Sequence, residues 1–149
     1  MRAVIQRVDR AGVVADGVPS GEIGKGLVAF IGFCPGDGEK EFAYITEKIL
    51  GLRVFEDDHG KMNLPVGQIG GGVLLIPNFT LYGDIRKGRR PDFGASSDSA
   101  TAASQFRDFC AHFTGHFPAV EKGVFQSLMK VDVQNDGPVT ILLDSDRLF

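Results

Sequence analysis

The sequence of 149 residues lacks tryptophan, holds only two cysteines and contains no long apolar run. A membrane-spanning helix needs about 20 consecutive apolar residues, so no membrane partner is predicted. The N-terminal segment also lacks the apolar core of a secretory signal, which favours a cytoplasmic protein. Cys34 and Cys110 lie far apart in the sequence, as expected for free thiols in that reducing compartment.

The common catalytic and cofactor motifs are also missing, including the serine-hydrolase elbow, the zinc-protease helix and the P-loop. Gly24–Ala29 matches a dinucleotide-binding pattern, but a β-rich run follows where that site needs a helix, so a tight turn is predicted. Glu56–Gly60 combines acids with a histidine between two short apolar segments, which predicts a solvated turn. His112 and His116 are expected to contact a helix C-terminus. We therefore expect neither a cofactor nor a metal.

The net charge of −3 requires any nucleic-acid binding to come from a local basic patch. Hydrophobic residues make up 43% and charged residues 23%, which is typical of a soluble globular protein. The length suits a single domain spanning residues 1–149. The 20 glycines are nearly twice the usual share of about 7%, which indicates many turns between short strands.

Hydrophobic periodicity predicts the elements of the fold. Six short apolar or alternating segments predict strands: Ala3–Val8, Gly12–Ala15, Leu27–Phe33, Val73–Ile76, Ser127–Gln134 and Val139–Leu143. Helical spacing predicts helices at Glu39–Leu52 and Ser99–Phe113, with Cys110 on the apolar face of the second. Because strands and helices do not alternate strictly, we predict an α+β fold with a largely antiparallel, barrel-like sheet and two main helices.

A polar segment, Pro77–Asp84, directly follows a predicted strand and delivers Asn78, Thr80 and backbone N–H groups at one point. A basic segment comes next, with four cations in five residues: Arg86, Lys87, Arg89 and Arg90. Such local positive charge suits contact with phosphates, and it equally suits a solvated surface loop.

A second polar segment, Asn135–Thr140, lies between the last two predicted strands, and its residue types predict a hairpin turn. Gly137 lacks a side chain and permits close approach by another group. Pro138 makes a cis peptide bond accessible.

Together these segments resemble the D-aminoacyl-tRNA deacylases, and the resemblance extends over the whole chain. The matching stretches are Met1–Val8, Gly21–Leu27, Glu47–Leu50, Arg53–Asp57, Gly60–Leu64, Phe79–Tyr82, Arg86–Pro91 and Asn135–Thr140. The resemblance implies hydrolysis of the ester between a D-amino acid and the 3′-terminal adenosine of tRNA. It also implies removal of glycine mischarged on tRNA for alanine.

The resemblance further implies a homodimer whose active site is shared between subunits. Gly137 and Pro138 would form a cis turn that enters the partner's site and screens chirality, supported by Arg7. Phe79 and Thr80 would be the catalytic positions that face the ester. Further roles follow by match: Asn78, Met129, Asn135 and Thr140 would bind substrate, with Met129 near the terminal adenine, and Arg86, Lys87, Arg89 and Arg90 would contact tRNA phosphates.

One departure from the family pattern is Pro77-Asn78, where Ser-Gln is usual. An animal relative has proline there, has a trans Gly-Pro turn and removes L-alanine from a threonine tRNA, so an L-alanine-clearing enzyme is the alternative function. A non-catalytic RNA-binding module and a small-molecule esterase are two further alternatives.

For the reaction, the sequence predicts stabilisation of the oxyanion by backbone N–H groups, with the substrate's 2′-OH helping to activate water. A covalent Thr80 nucleophile is the alternative mechanism. Replacing Gly137 with alanine is predicted to block the site by placing a methyl group where the substrate binds.

Overall fold

A computed structural model describes residues 1–148. Its strands are β1 (Arg2–Ala15), β2 (Val18–Ile23), β3 (Gly26–Gly32), β4 (Phe55–Glu56), β5 (Met62–Leu64), β6 (Gly72–Pro77), β7 (Val120–Lys122) and β8 (Met129–Asp144). The helices are α1 (Glu39–Gly51) and α2 (Ser99–His116), and a single 3₁₀ turn spans Phe79–Tyr82. None of the described helices is both long and apolar enough to cross a membrane.

Six strands form one sheet centred on β1, which pairs antiparallel with β2, β3 and β8. β8 pairs with one edge of β1 along the whole of β1. β3 and β2 pair with the first and second halves of its other edge. The sheet continues from β3 to β6 and β7 through parallel pairs, and β2 also packs against β6 and β7. The sheet is therefore mostly antiparallel and nearly closed, which confirms the α+β, barrel-like prediction.

Both helices pack on one side of the sheet, as their apolar spacing predicts. Phe42 of α1 and Phe109 of α2 meet edge to face, with ring centroids 5.7 Å apart. Phe33, just after β3, packs against both rings. Cys110 is buried in the same core, as predicted, and burial raises the pKa of its thiol to about 12. The thiol is therefore neutral at physiological pH.

Two predicted strand boundaries are wrong. The separate segments predicted at Ala3–Val8 and Gly12–Ala15 form the single strand β1, because β8 pairs with β1 on both sides of the predicted break. The segments at Ser127–Gln134 and Val139–Leu143 likewise belong to the single strand β8.

The predicted hairpin at Asn135–Thr140 is therefore wrong as well. Thr140 pairs with Gln6 and Asn135 pairs with Val8, so both flanks of the segment run antiparallel to the same strand. Between these two pairs β1 advances by two residues and β8 by five. The extra residues of β8 therefore protrude as a bulge. We call residues 136–139 the Gly-Pro loop.

Three minor predictions are confirmed by contacts. The Asp57 carboxylate accepts hydrogen bonds from the backbone N–H of His59 and Lys61, which forms the predicted solvated turn. Gly26 begins strand β3 rather than a helix. A ring nitrogen of His116 lies 2.9 Å from the backbone oxygen of His112 at the end of α2.

Candidate functional site

The predicted polar segment begins where β6 ends. The backbone N–H of Asn78 donates to the Ile31 oxygen at 2.7 Å and keeps the chain against β3. The 3₁₀ turn then begins at Phe79, whose side chain is 51% exposed. The first N–H groups of a helical turn have no acceptor inside it, so those of Phe79 and Thr80 are available to a ligand.

The 3₁₀ turn is anchored from β1. The Arg2 guanidinium donates to the Leu81 oxygen at 3.2 Å and lies 4.6 Å from the ring centre of Tyr82. Its Nε also pairs with the Asp144 carboxylate at the end of β8. Burial raises the pKa of the Tyr82 phenol, which therefore stays protonated. These contacts hold the backbone of the turn in place.

Thr80 is oriented by an amide and not by a base. Its hydroxyl donates to the Asn78 Oδ1 at 2.5 Å. Among residues 1–148, no histidine or carboxylate forms a hydrogen bond with Thr80. A serine or threonine nucleophile requires an adjacent base, so this geometry does not activate the hydroxyl.

A cavity of about 460 Å³ opens beside the strand end. Aromatic rings form much of its wall, and those of Phe79 and Phe93 meet edge to face with centroids 5.0 Å apart. Its lining is Pro77, Asn78, Phe79, Phe93, Ser96, Ser97, Ser99, Ala102, Phe125, Gln126, Ser127 and Met129. The cavity therefore brings together Asn78, Phe79 and Met129, and it has the size of a small-molecule site.

Sequence reasoning missed the hydroxyl and amide groups of this cavity. Ser96 and Ser97 precede α2, Ser99 is its first residue, and Gln126 and Ser127 come from the segment before β8. Gln126 has a positive φ of 61° and donates to the Ser99 hydroxyl at 2.5 Å. The four serines and the glutamine carry no sequence motif, and only the packing of the start of α2 against the segment before β8 places them together.

A larger groove of about 940 Å³ lies elsewhere, along β1, β2 and β8. Its lining contains none of the residues predicted to act on substrate, and it includes acidic groups such as Glu22 and Asp132. The smaller aromatic cavity is therefore the better candidate.

The Gly-Pro loop is held by a buried arginine. The peptide bond between Gly137 and Pro138 is cis, as predicted. Arg7 Nε lies 3.2 Å from the Asp136 backbone oxygen and 2.9 Å from its carboxylate. Arg7 Nη1 also donates to the Val54 oxygen at 2.6 Å. Arg7 therefore contacts the loop directly, and its supporting role stays a prediction.

The structure gives a further reason for the predicted effect of Gly137→Ala. Gly137 has a φ of +123°, and a Cβ built there would lie 2.9 Å from Val139 Cγ2 and 3.1 Å from Arg7 Nη2. The added methyl group would collide with the loop's own support. The expected damage is therefore distortion of the loop, in a conformation that favours glycine.

Asn135 and Thr140, predicted to bind substrate, close the base of the Gly-Pro loop. The Asn135 amide donates to the Val139 oxygen and to the Thr140 hydroxyl, both at 3.3 Å, and accepts from the Val139 N–H at 3.0 Å. Neither residue lines the aromatic cavity, and neither Gly137 nor Pro138 does. Within one protomer the structure thus does not bring the loop and the cavity together.

The basic segment forms an exposed loop closed by two backbone hydrogen bonds between Asp84 and Asp92. Arg86 pairs with the Asp84 carboxylate at 2.6 Å, which lowers the pKa of Asp84 to about 2. Within residues 1–148, Lys87, Arg89 and Arg90 have no ion-pair partner. Phe93 follows the loop and lines the cavity, so the free cations lie close in sequence to the cavity wall.

Comparison with known proteins extends this description. The family model of D-Tyr-tRNA(Tyr) deacylase matches residues 4–144. A D-aminoacyl-tRNA deacylase of Koribacter versatilis is 49% identical over 149 residues, which cover all of both chains.

Two solved structures share the fold. One is described as a c-Myc DNA unwinding element binding protein; it has a TM-score of 0.91, 36% identity, and coverage of 97% of this chain and 98% of its own. The other, a probable eukaryotic D-amino acid tRNA deacylase, has a TM-score of 0.78 at 17% identity, covering 95% of this chain and 97% of its own. The family match over most of the sequence shows that this chain belongs to the D-Tyr-tRNA(Tyr) deacylase family.

Proposed function

We propose that this chain hydrolyses the ester between a D-amino acid and the 3′-terminal adenosine of tRNA, in the cytoplasm, where tRNA is charged. Membership of the family makes the chain a hydrolase that acts on aminoacyl-tRNA. The observation that supports the proposal best is the 3₁₀ turn, whose first residue, Phe79, lines an aromatic cavity at the end of β6 and is followed by Thr80.

The terminal nucleoside of the substrate would occupy the aromatic cavity. Unpaired bases in RNA are commonly bound by stacking on aromatic side chains, with hydrogen bonds to the base edges. Phe79, Phe93 and Phe125 supply rings, and Met129 lines the same wall, where it would lie near the adenine. With the base so placed, the ribose and its ester would face the 3₁₀ turn.

The reaction then needs positioning more than a strong catalytic base. Water adds to the ester carbonyl carbon, the bond from that carbon to the ribose 3′-oxygen breaks, and this oxygen takes up the proton lost by water. The N–H groups of Phe79 and Thr80 would stabilise the oxyanion formed on the way. The neighbouring 2′-OH of the substrate would help to activate the water.

Selection against L-amino acids is assigned to the Gly-Pro loop of a second subunit. Gly137 and Pro138 are exposed, yet Arg7 and Asn135 hold their loop firmly. A rigid backbone excludes a side chain of the wrong hand by clash, and it needs no contact with the accepted side chain. Because the loop does not line the cavity of its own protomer, we assign it to the partner's cavity in a homodimer.

Binding of the tRNA body is assigned to the basic loop. Lys87, Arg89 and Arg90 are exposed and unpaired within the described residues, and their positive charge suits phosphates in an acidic protein. Their closeness in sequence to Phe93 would place the acceptor end of tRNA beside the cavity.

A parallel hydrolysis assay tests the function. D-tyrosyl-tRNA, L-tyrosyl-tRNA, glycyl-tRNA for alanine, L-alanyl-tRNA for threonine and a simple D-tyrosine ester are each incubated with the protein. We expect rapid release from D-tyrosyl-tRNA and from glycyl-tRNA, with L-tyrosyl-tRNA left intact. Preference for the L-alanyl substrate would establish the alternative suggested by Pro77-Asn78, and equal hydrolysis of the simple ester would indicate a general esterase.

A further inference from the structure

We propose that Arg2 is a positioning residue for hydrolysis, because its guanidinium fixes the 3₁₀ turn that carries Phe79 and Thr80. The inference rests on the proposed function, in which the backbone N–H groups of this turn stabilise the oxyanion. It goes beyond that function, because Arg2 does not line the aromatic cavity and acts through its contacts with the turn.

The place of Arg2 in the sheet brings its side chain to the turn. Arg2 lies on β1 and pairs with Gly32 of β3 on one side and with Asp144 of β8 on the other. A Cβ built on Gly32 would lie 3.0 Å from the Asn78 oxygen and 3.2 Å from the Leu81 Cβ. The turn therefore packs directly against the backbone of Gly32, next to Arg2.

The guanidinium of Arg2 contacts three groups at this point. Its Nε donates to Asp144 Oδ2 at 3.0 Å, and its Nη1 donates to the Leu81 oxygen at 3.2 Å. Its central carbon lies 4.6 Å from the centre of the Tyr82 ring. The last carbonyl groups of a helical turn have no donor inside the turn, so Arg2 supplies a hydrogen bond that the turn itself cannot make.

The ion pair with Asp144 fixes the direction of these donors. The Asp144 carboxylate is buried, and its second oxygen accepts from the backbone N–H of Asp146 at 2.6 Å, so the carboxylate is held in one orientation. A guanidinium is planar, and a carboxylate bound to its Nε therefore sets where its other N–H groups point. Arg2 thus connects the turn rigidly to β1 and β8.

A rigid turn matters for the reaction because a misplaced catalytic group loses much of its effect. A displacement of about 1 Å can cost on the order of 100-fold in rate. Phe79 and Thr80 directly precede Leu81 in the same turn, so a shift at Leu81 displaces their N–H groups. Since the oxyanion exists only on the way to products, such a displacement should lower kcat more than it changes KM.

The kinetic test compares Arg2→Lys with Arg10→Lys. Lysine leaves Asp144 with a partner of opposite charge but lacks the planar fork of donors. Arg10 is the matched control, because it lies on the same strand and likewise bonds to its partner on β8, Gln134. In Arg2→Lys, kcat for D-tyrosyl-tRNA should fall by about ten- to 100-fold with KM changed less than about twofold. Arg10→Lys should keep both wild-type values.

Thermal unfolding of the same variants separates positioning from a purely structural role. The melting temperature of Arg2→Lys should stay close to that of wild type, because the buried carboxylate keeps its ion pair. A purely structural role would instead lower the melting temperature and leave the kcat of the folded protein unchanged. A wild-type kcat in Arg2→Lys, or a loss confined to KM, would overturn the inference.

Amide hydrogen exchange, followed by NMR, provides a readout that does not depend on catalysis. The Gly83 N–H donates to the Thr80 oxygen at 3.0 Å and so reports whether the turn is closed. Its exchange should be about three- to tenfold faster in Arg2→Lys than in wild type and unchanged in Arg10→Lys. Equal exchange in Arg2→Lys and wild type would overturn the inference. A wild type that does not hydrolyse D-aminoacyl-tRNA, but whose Gly83 exchange depends on Arg2, would refute only the proposed function.

Discussion

Thr80 distinguishes the two possible mechanisms at the scale of a single residue. Its hydroxyl donates to the Asn78 amide oxygen and bonds to no basic side chain among residues 1–148. Under the positioning mechanism Thr80→Ala should reduce kcat by no more than about tenfold, whereas a lost nucleophile would cost on the order of 10³-fold or more. Single-turnover hydrolysis of D-tyrosyl-tRNA measures the difference, and trapping of an aminoacyl group on Thr80 would contradict the proposed mechanism.

Gly137 is proposed to act on the site through its backbone, without a side chain. Gly137→Ala should remove most deacylase activity, because the new Cβ would crowd Val139 and Arg7 at a φ of +123°. Gly36→Ala is the matched control: Gly36 also has a positive φ, of +93°, but a Cβ there would meet nothing within 4 Å. Gly36→Ala should lose roughly 1 kcal/mol of stability from backbone strain, and Gly137→Ala should lose more because of the added crowding, both measured by denaturant unfolding. Gly36→Ala should keep wild-type activity.

The Arg7 guanidinium donates hydrogen bonds both to the Val54 backbone and to the Gly-Pro loop. Arg7→Lys keeps the charge but cannot reach both the Val54 oxygen and the Asp136 groups in the same geometry. We expect a fall in activity and a weaker discrimination between D- and L-tyrosyl-tRNA. Arg10→Lys is the comparison, since Arg10 is an exposed β1 arginine whose guanidinium donates to the Gln134 side chain. If Arg7→Lys kept full discrimination, Arg7 would have no supporting role.

At the scale of elements, the basic loop has one paired cation and three that have no ion-pair partner in the described part of the chain. Replacing Arg89 and Arg90 with glutamine should weaken tRNA binding and reduce the slope of log affinity against log salt by up to roughly 0.9 per lost phosphate contact. Arg86→Gln should have a smaller effect, because Arg86 is already paired with Asp84. An unchanged salt slope in the double variant would reject the loop as a phosphate-binding element.

The same ion pair makes a prediction about pH. Arg86 lowers the pKa of Asp84 to about 2, so the carboxylate stays ionised at all higher working pH values. Because the pKa of Asp84 is lower in the folded state than in the unfolded state, the ion pair stabilises the fold at pH values above the unfolded-state pKa. That stabilisation is lost as the pH falls through the folded-state pKa. The conformation of the loop, followed by backbone NMR shifts of Arg86, should therefore not change between pH 5 and pH 8.

The elements show which parts of the fold a sequence can predict. Helices α1 and α2 start at the predicted residues, since their apolar spacing is local information. The breaks predicted in β1 and β8 were wrong because strand continuity depends on the partner, and each strand is the other's partner. The predicted site residues Asn78, Phe79 and Met129 meet in one cavity, while Ser97 and Gln126 were missed because only tertiary packing brings them there.

At the scale of the whole molecule, the proposed homodimer should be obligatory for activity. The cavity and the Gly-Pro loop are separate in one protomer, so each site would need a loop from the partner. In a symmetric dimer the same exchange occurs twice, which gives two equivalent sites. Sedimentation analysis should therefore show a dimer at assay concentrations, and dilution to a monomer should abolish hydrolysis.

Mixed dimers test whether the loop acts on its own subunit or on the partner. One variant, Gly137→Ala, has a damaged loop; the other, Ser99→Trp, has an obstructed cavity, since Ser99 is exposed and lines it. Co-expression with two different affinity tags allows the mixed dimer to be isolated. If the loop acts on the partner, one site combines the intact cavity of the first variant with the intact loop of the second. The mixed dimer should then recover about half of the wild-type activity.

The reciprocal control pairs a wild-type subunit with one that carries both substitutions. If the sites are shared, each of the two sites in this dimer lacks either an intact loop or an open cavity, so the dimer should be inactive. If each loop served its own subunit, the two results would be reversed: the wild-type subunit would keep about half of the activity, and the dimer of two single variants would have none. Because both dimers contain the same four chain segments in different arrangements, general instability cannot produce opposite outcomes, and the comparison assigns the loop to one subunit or the other.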